Sequence, residues 1–270
     1  MAYRALALGL VGVVLLATAA SAQTGERMPT LAFGVDGSLP LSTSDTTYRN
    51  PRGRSDYQTS PYLRLSASGK LVPDLSYSFY ASGGFEKYPF RQDADNTYAS
   101  LGTSLTRRWG PLSAGVSYER NYAFDGIFGQ YLYASNDVGI YSSYHWTDPA
   151  KIVRLKPGFS MSRRFADDPS EDSFVYSFKL DAERKVAERW WLTLTPRVRR
   201  QHFLGSENDG RVDTIYSIST GARYTISDHF QISAGIGYDH RESTAETKRY
   251  DNFSFGVSLD FSHTFASFPR

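Results

Sequence analysis

The amino-acid sequence predicts an all-β fold: an antiparallel, up-and-down, membrane-spanning β-barrel of about twelve strands, with short turns at one end and longer loops at the other. Three observations carry this prediction. Apolar and polar residues alternate with period two along segments of about ten residues, long for the strands of a soluble sandwich. The connections between those segments alternate in length. Beyond the N-terminal segment no run reaches the roughly 18 apolar residues that a membrane helix needs, and mean hydropathy is -0.42. Barrel strands escape such a measure, because lipid-facing and lumen-facing residues average out within each segment.

The chain has 270 residues and opens with Arg4, an apolar run over 5–17 and the small residues Ala20, Ser21 and Ala22. That order predicts a signal peptide over 1–22, leaving 23–270 as one barrel domain. The run is too short to span a bilayer as a helix. There is no cysteine, so neither a disulfide nor a cysteine-linked lipid holds the protein. A net charge of +2 argues against nucleic acid, whose partners usually present a strongly basic face.

Taken in chain order, strands are expected around Phe33, Leu65, Phe79, Leu101, Val116, Val138, Phe159, Phe178, Leu194, Ile218, Ala234 and Val257. The stretch after Pro111 shows the pattern well: Leu112, Ala114, Val116 and Tyr118 are apolar, while Ser113, Gly115, Ser117 and Glu119 alternate with them. Short turns are expected at 69–74, 107–111, 147–151, 185–189 and 227–229. Longer loops fall at 40–58, 87–96, 123–130, 166–171, 204–211 and 242–248. Short periplasmic turns opposite longer extracellular loops are the asymmetry of an outer-membrane barrel, and an even strand number puts both termini at the turn end. Trp109, Trp146, Trp190 and Trp191 all lie beside short turns, where an interfacial aromatic belt is expected. Phe85, Tyr122, Phe174, Tyr216 and Tyr238 would form the belt at the other end.

The alternation Phe253, Phe255, Val257, Leu259, Phe261 resembles the last strand that the barrel assembly machinery recognises in bacterial outer-membrane β-barrel proteins. The resemblance is to that porin-like class as a whole and covers the mature chain. It implies residence in the outer membrane of a Gram-negative bacterium, with outer-membrane lipid and lipopolysaccharide as partners and the assembly machinery as a partner during biogenesis. Such chains commonly stop at a terminal aromatic, whereas 262–270 continue here, so Phe265 is an alternative end of the strand.

With the apolar parity toward lipid, the other parity reads as Ser and Gly with interspersed charge. Lumen-facing charges are expected at Arg64, Arg108, Arg154, Lys156, Arg164, Lys179, Arg197, Arg199, Arg223, Glu86, Glu119 and Asp239. Seven of the cations, from Arg154 to Arg223, form a basic wall from four adjacent strands. Asp36, Glu86, Glu119, Asp239 and Asp260 are expected across from it, and Asp181, Glu183 and Asp213 are placed to neutralise part of the wall. Arg163 and Arg200, on the outward parity, suit lipopolysaccharide phosphates. No catalytic residues, metal site or cofactor are expected: the five histidines show no ligand spacing, and Ser262-His263 and Asp239-His240 are adjacent pairs whose side chains alternate faces. The pattern predicts a passive channel for small polar or anionic solutes. The alternatives are a non-conducting structural or adhesive barrel presenting its loops, and an outer-membrane hydrolase acting on lipid or lipopolysaccharide.

Overall fold

The structure is a computed structural model, and it describes residues 31–44, 56–89 and 95–268. The expected signal peptide and most of the 40–58 loop lie outside these residues. Twelve antiparallel strands close into a barrel, with two short extra strands. In chain order these are β1 (Leu31–Ser44), β2 (Asp56–Thr59), β3 (Tyr62–Val72), β4 (Leu75–Glu86), β5 (Asn96–Trp109), β6 (Leu112–Asp125), β7 (Tyr131–Tyr144), β8 (Trp146–Thr147), β9 (Val153–Ala166), β10 (Ser173–Lys185), β11 (Trp190–Phe203), β12 (Val212–Thr225), β13 (Phe230–Ser243) and β14 (Tyr250–Phe268). Consecutive long strands pair throughout, and β14 returns to β1 from Leu31↔Phe268 to Ser44↔Ser254. Closure leaves no open edge, so the ladder satisfies its own amides and carbonyls in a medium without water.

All the expected strand centres fall within strands. The boundaries moved where a strand outlasted its pattern. Pro40 to Ser44 continue β1 rather than opening a loop, and Thr59 Oγ1 donates to the Pro40 carbonyl at 2.9 Å. Likewise 69–72 belong to β3. The β5–β6 turn is only Gly110-Pro111, with Trp109 paired to Leu112. Gly110 sits at φ +58, as the first central position of a primed hairpin turn requires, and proline's fixed φ suits the second. At the other end, loops 167–172, 204–211 and 244–249 each contain a single 3-10 turn.

Large apolar side chains stand on the outside. Leu65 and Leu101 are 54% exposed and Phe178 53%, while the buried apolar residues among those described are only Leu71, Tyr88, Ala134, Trp191 and Phe203. A soluble sandwich would show the reverse, so the outer face is built to meet lipid. The final strand runs to Phe268, beyond both candidate end points. Its register slips opposite Phe33 and Gly34, leaving Phe265 unpaired and exposed.

Candidate functional site: the barrel lumen

Period two and the pairing register assign every inward side chain. On the inner face, hydroxyls pair across strands: Ser78 with Ser104 at 2.9 Å, Ser82 with Ser100 at 3.2 Å, Ser113 with Ser143 at 2.9 Å and Ser233 with Ser258 at 2.8 Å. Each pair satisfies two hydroxyls without projecting far, which keeps the wall polar and the interior wide.

Glycines divide the lumen into two unlike halves. In the half built by β3 to β7, an inward tyrosine lies over a glycine of a neighbouring strand. Tyr98 covers Gly84, Tyr80 covers Gly102 and Tyr141 covers Gly115, each so closely that a Cβ there would collide with the tyrosine. Around β12 to β14, Gly221, Gly235, Gly237 and Gly256 have no aromatic over them. A cavity of about 910 Å³ fills that half. Its lining runs from His145, Thr147 and Gln231 near the short turns to Ser42, Asp239 and Asn252 toward the loop end.

The charged residues expected to line the lumen lie on the inward parity, Arg163 and Arg200 on the outward one, and many of the inward residues hold one another. Glu183 takes both Arg223 at 2.9 Å and Arg154 at 3.7 Å, and Asp181 takes Lys179 at 2.8 Å. Arg164 binds Asp137 of β7 through two nitrogens, at 2.8 and 3.0 Å. Asp213 is not a partner of the wall: it is buried at the loop end between Arg211, Arg241 and Ser243. Lys156, Arg197 and Arg108 have no carboxylate within ion-pair distance among the described residues, and Arg197 donates only to Ser177, at 3.2 Å. Arg199 donates to Gln201 at 3.0 Å. Arg64 lies over the Tyr80 ring at 4.1 Å, and the Tyr80 hydroxyl bonds Glu119. Glu86 accepts from Tyr88 and from Asn96.

The acidic residues are not gathered opposite the basic wall. Strand order puts β1 across from β9 and β4 across from β11, so Asp36 and Glu86 do oppose it. Asp239 on β13 and Asp260 on β14 instead continue around from its edge, because β12 pairs with β13. Asp260 is held by Ser38 at 2.5 Å and Ser258 at 3.0 Å. At the turn end, burial together with Lys156 and Arg108 holds the His145 imidazole below its ordinary pKa.

Trp109, Trp146 and Trp190 are exposed on the outer face, Trp190 against Tyr224. Trp191 departs from the expected belt: one residue further along, it points inward, is buried, and carries the Arg154 guanidinium 4.2 Å from its ring. Asp137, Tyr80 and Trp191 are lumen residues that sequence reasoning passed over. Parity would have found each of them, since all lie on the inward rank of their strands. Asp239 and His240 face opposite sides, as do Ser262 and His263. His240 pairs outside with Asp251 at 2.8 Å, and His263 packs on His229. Among the described residues no three His, Asp or Glu side chains are grouped to hold a metal ion.

No protein-family model matches the chain. No curated protein matches it in sequence. Solved structures do match its shape. An outer membrane channel from Pseudomonas putida F1 aligns over 89% of this chain and 98% of its own, with TM-score 0.57 and 14% identity. The translocator domain of the autotransporter NalP from Neisseria meningitidis aligns over 96% and 97%, at TM-score 0.46 and 13% identity. An anion-selective porin from Comamonas acidovorans aligns over 89% and 100%, at TM-score 0.43 and 12% identity. The chain has the fold of bacterial outer-membrane β-barrel proteins, closed here by twelve strands.

Proposed function

We propose that the protein is a passive channel of the bacterial outer membrane for small polar or anionic solutes, exported by the signal peptide at 1–22, with its short turns in the periplasm. The observation that carries this reading is the cavity of about 910 Å³ inside the barrel, floored by small residues on β12 to β14 and bordered by Lys156 and Arg223. Eight strands leave room only for side chains and sixteen leave an open channel, so twelve strands with one glycine-rich half suit a narrow pore. The fold shared with the Pseudomonas putida channel agrees with this reading.

Planar-bilayer recording tests it. Purified protein added to one side is expected to give discrete, ohmic steps of uniform size. A barrel that inserts, by heat-modifiable migration on gels, yet gives no steps would instead be a non-conducting surface barrel, and the channel reading would fall.

A further inference from the structure

On the outer face near the loop end, the cations differ in one respect. Arg163 is bound by Asp172 at 3.1 Å and enclosed by the rings of Phe165 and Phe174. His240 is bound by Asp251 at 2.8 Å. Arg120 lies over Tyr122 at 5.2 Å and within electrostatic reach of Asp167. Arg200 has no carboxylate within ion-pair distance among the described residues. It is exposed, and its Nε donates to His202 Nε2 at 3.0 Å. That bond fixes the direction of the guanidinium and leaves its two terminal nitrogens to a ligand. His202 is itself braced edge-on against Tyr176, with ring centroids 6.0 Å apart. Toward the middle of the same outer face, Val198, Phe178 and Tyr216 are exposed and neighbour one another by register.

We propose that Arg200, oriented by His202, is a binding site for a phosphate of a lipid A-type glycolipid in the outer leaflet, whose acyl chains lie along Val198, Phe178 and Tyr216. A planar guanidinium with two open donors matches a phosphate bidentately. An amphiphile is the ligand class because the donors stand at the border of an apolar surface; a soluble phosphate would have no use for the strip beneath. Arg163, which the sequence offered as a second phosphate ligand, is excluded by Asp172. The proposal rests on the membrane reading but not on conduction.

The test titrates full-length protein in detergent with deep-rough lipopolysaccharide, with the same material after phosphatase treatment, and with phosphatidylglycerol, reading bound lipid by native mass spectrometry. Arg200→Ala is expected to weaken lipopolysaccharide binding by about tenfold, the order of a lost charge-assisted hydrogen bond. Arg200→Lys should keep part of it, and Lys248→Ala, which removes another loop-end charge, should leave it unchanged. Phosphatase treatment should weaken binding to the unaltered protein, an arm that does not depend on any variant folding. Equal binding by Arg200→Ala, indifference to phosphatase, or equal binding of phosphatidylglycerol would each overturn the proposal. Absence of heat-modifiable migration would overturn the membrane reading beneath it.

Discussion

The tyrosine–glycine pairs decide locally how wide the lumen is. Tyr80 lies over Gly102 while Arg64 covers its ring and Glu119 holds its hydroxyl, so one side chain links its own strand to three others. Gly102→Val would put branched carbons where the ring now lies and drive Tyr80 inward, releasing Arg64. The expected result is a loss of about 1–3 kcal/mol in urea unfolding from vesicles, typical of overpacking, together with smaller conductance steps. Adding Tyr80→Ala should restore much of both losses, because the collision is then removed; failure of that rescue would show that Gly102 matters for its backbone instead. None of this could be read from the chain, where Tyr80 and Gly102 are simply two inward residues. Which glycine a tyrosine covers is set by register between strands, and that pairing becomes visible only in three dimensions.

Along a single strand, the same alternation that revealed the fold makes a sharp prediction. Leu194 and Thr195 are adjacent in β11, but Leu194 is exposed on the outer face and Thr195 lines the cavity. Leu194→Arg should cost about 2–4 kcal/mol of folding stability in a bilayer, as a cation facing mid-membrane lipid does. Thr195→Arg, with identical chemistry one residue later, should cost far less and act on conductance. Equal losses measured by urea unfolding in vesicles would refute the assignment of faces. Strand existence was legible in the sequence because it follows from period two, which survives without tertiary information. Strand ends were less legible, since Pro40 to Ser44 and 69–72 carry turn-like residues that neighbouring strands nonetheless pair. Trp191 shows the limit of reading by proximity: lying beside a turn suggested the interface, whereas its rank in β11 put it inside.

For the whole barrel, charge that is already paired contributes little to what a passing ion feels. Lys179, Arg154, Arg223 and Arg164 lie against carboxylates, so the seven-cation wall visible in the sequence is partly neutralised, by Asp137, Asp181 and a Glu183 shared between Arg154 and Arg223. The partner of Arg164 is Asp137, on a strand outside the four considered in the sequence, and only pairing of β7 with β9 brings the two together. Among the described residues, Lys156 and Arg197 remain on the wall without a carboxylate, while Asp36 and Asp239 stand on β1 and β13. An ion crossing a narrow, low-dielectric passage responds to these unneutralised groups. Lys156→Glu with Arg197→Glu should therefore move the reversal potential in a salt gradient toward cation preference. Arg154→Gln, which changes the wall by one charge rather than four, should move it the same way and by less per charge, because Arg154 already lies against Glu183 at 3.7 Å. The contrast separates unpaired from paired charge in one measurement, provided step size shows that each variant still conducts. If Arg154→Gln shifts the potential as much per charge removed as the double variant, selectivity follows the total charge of the wall and pairing has no hold on it.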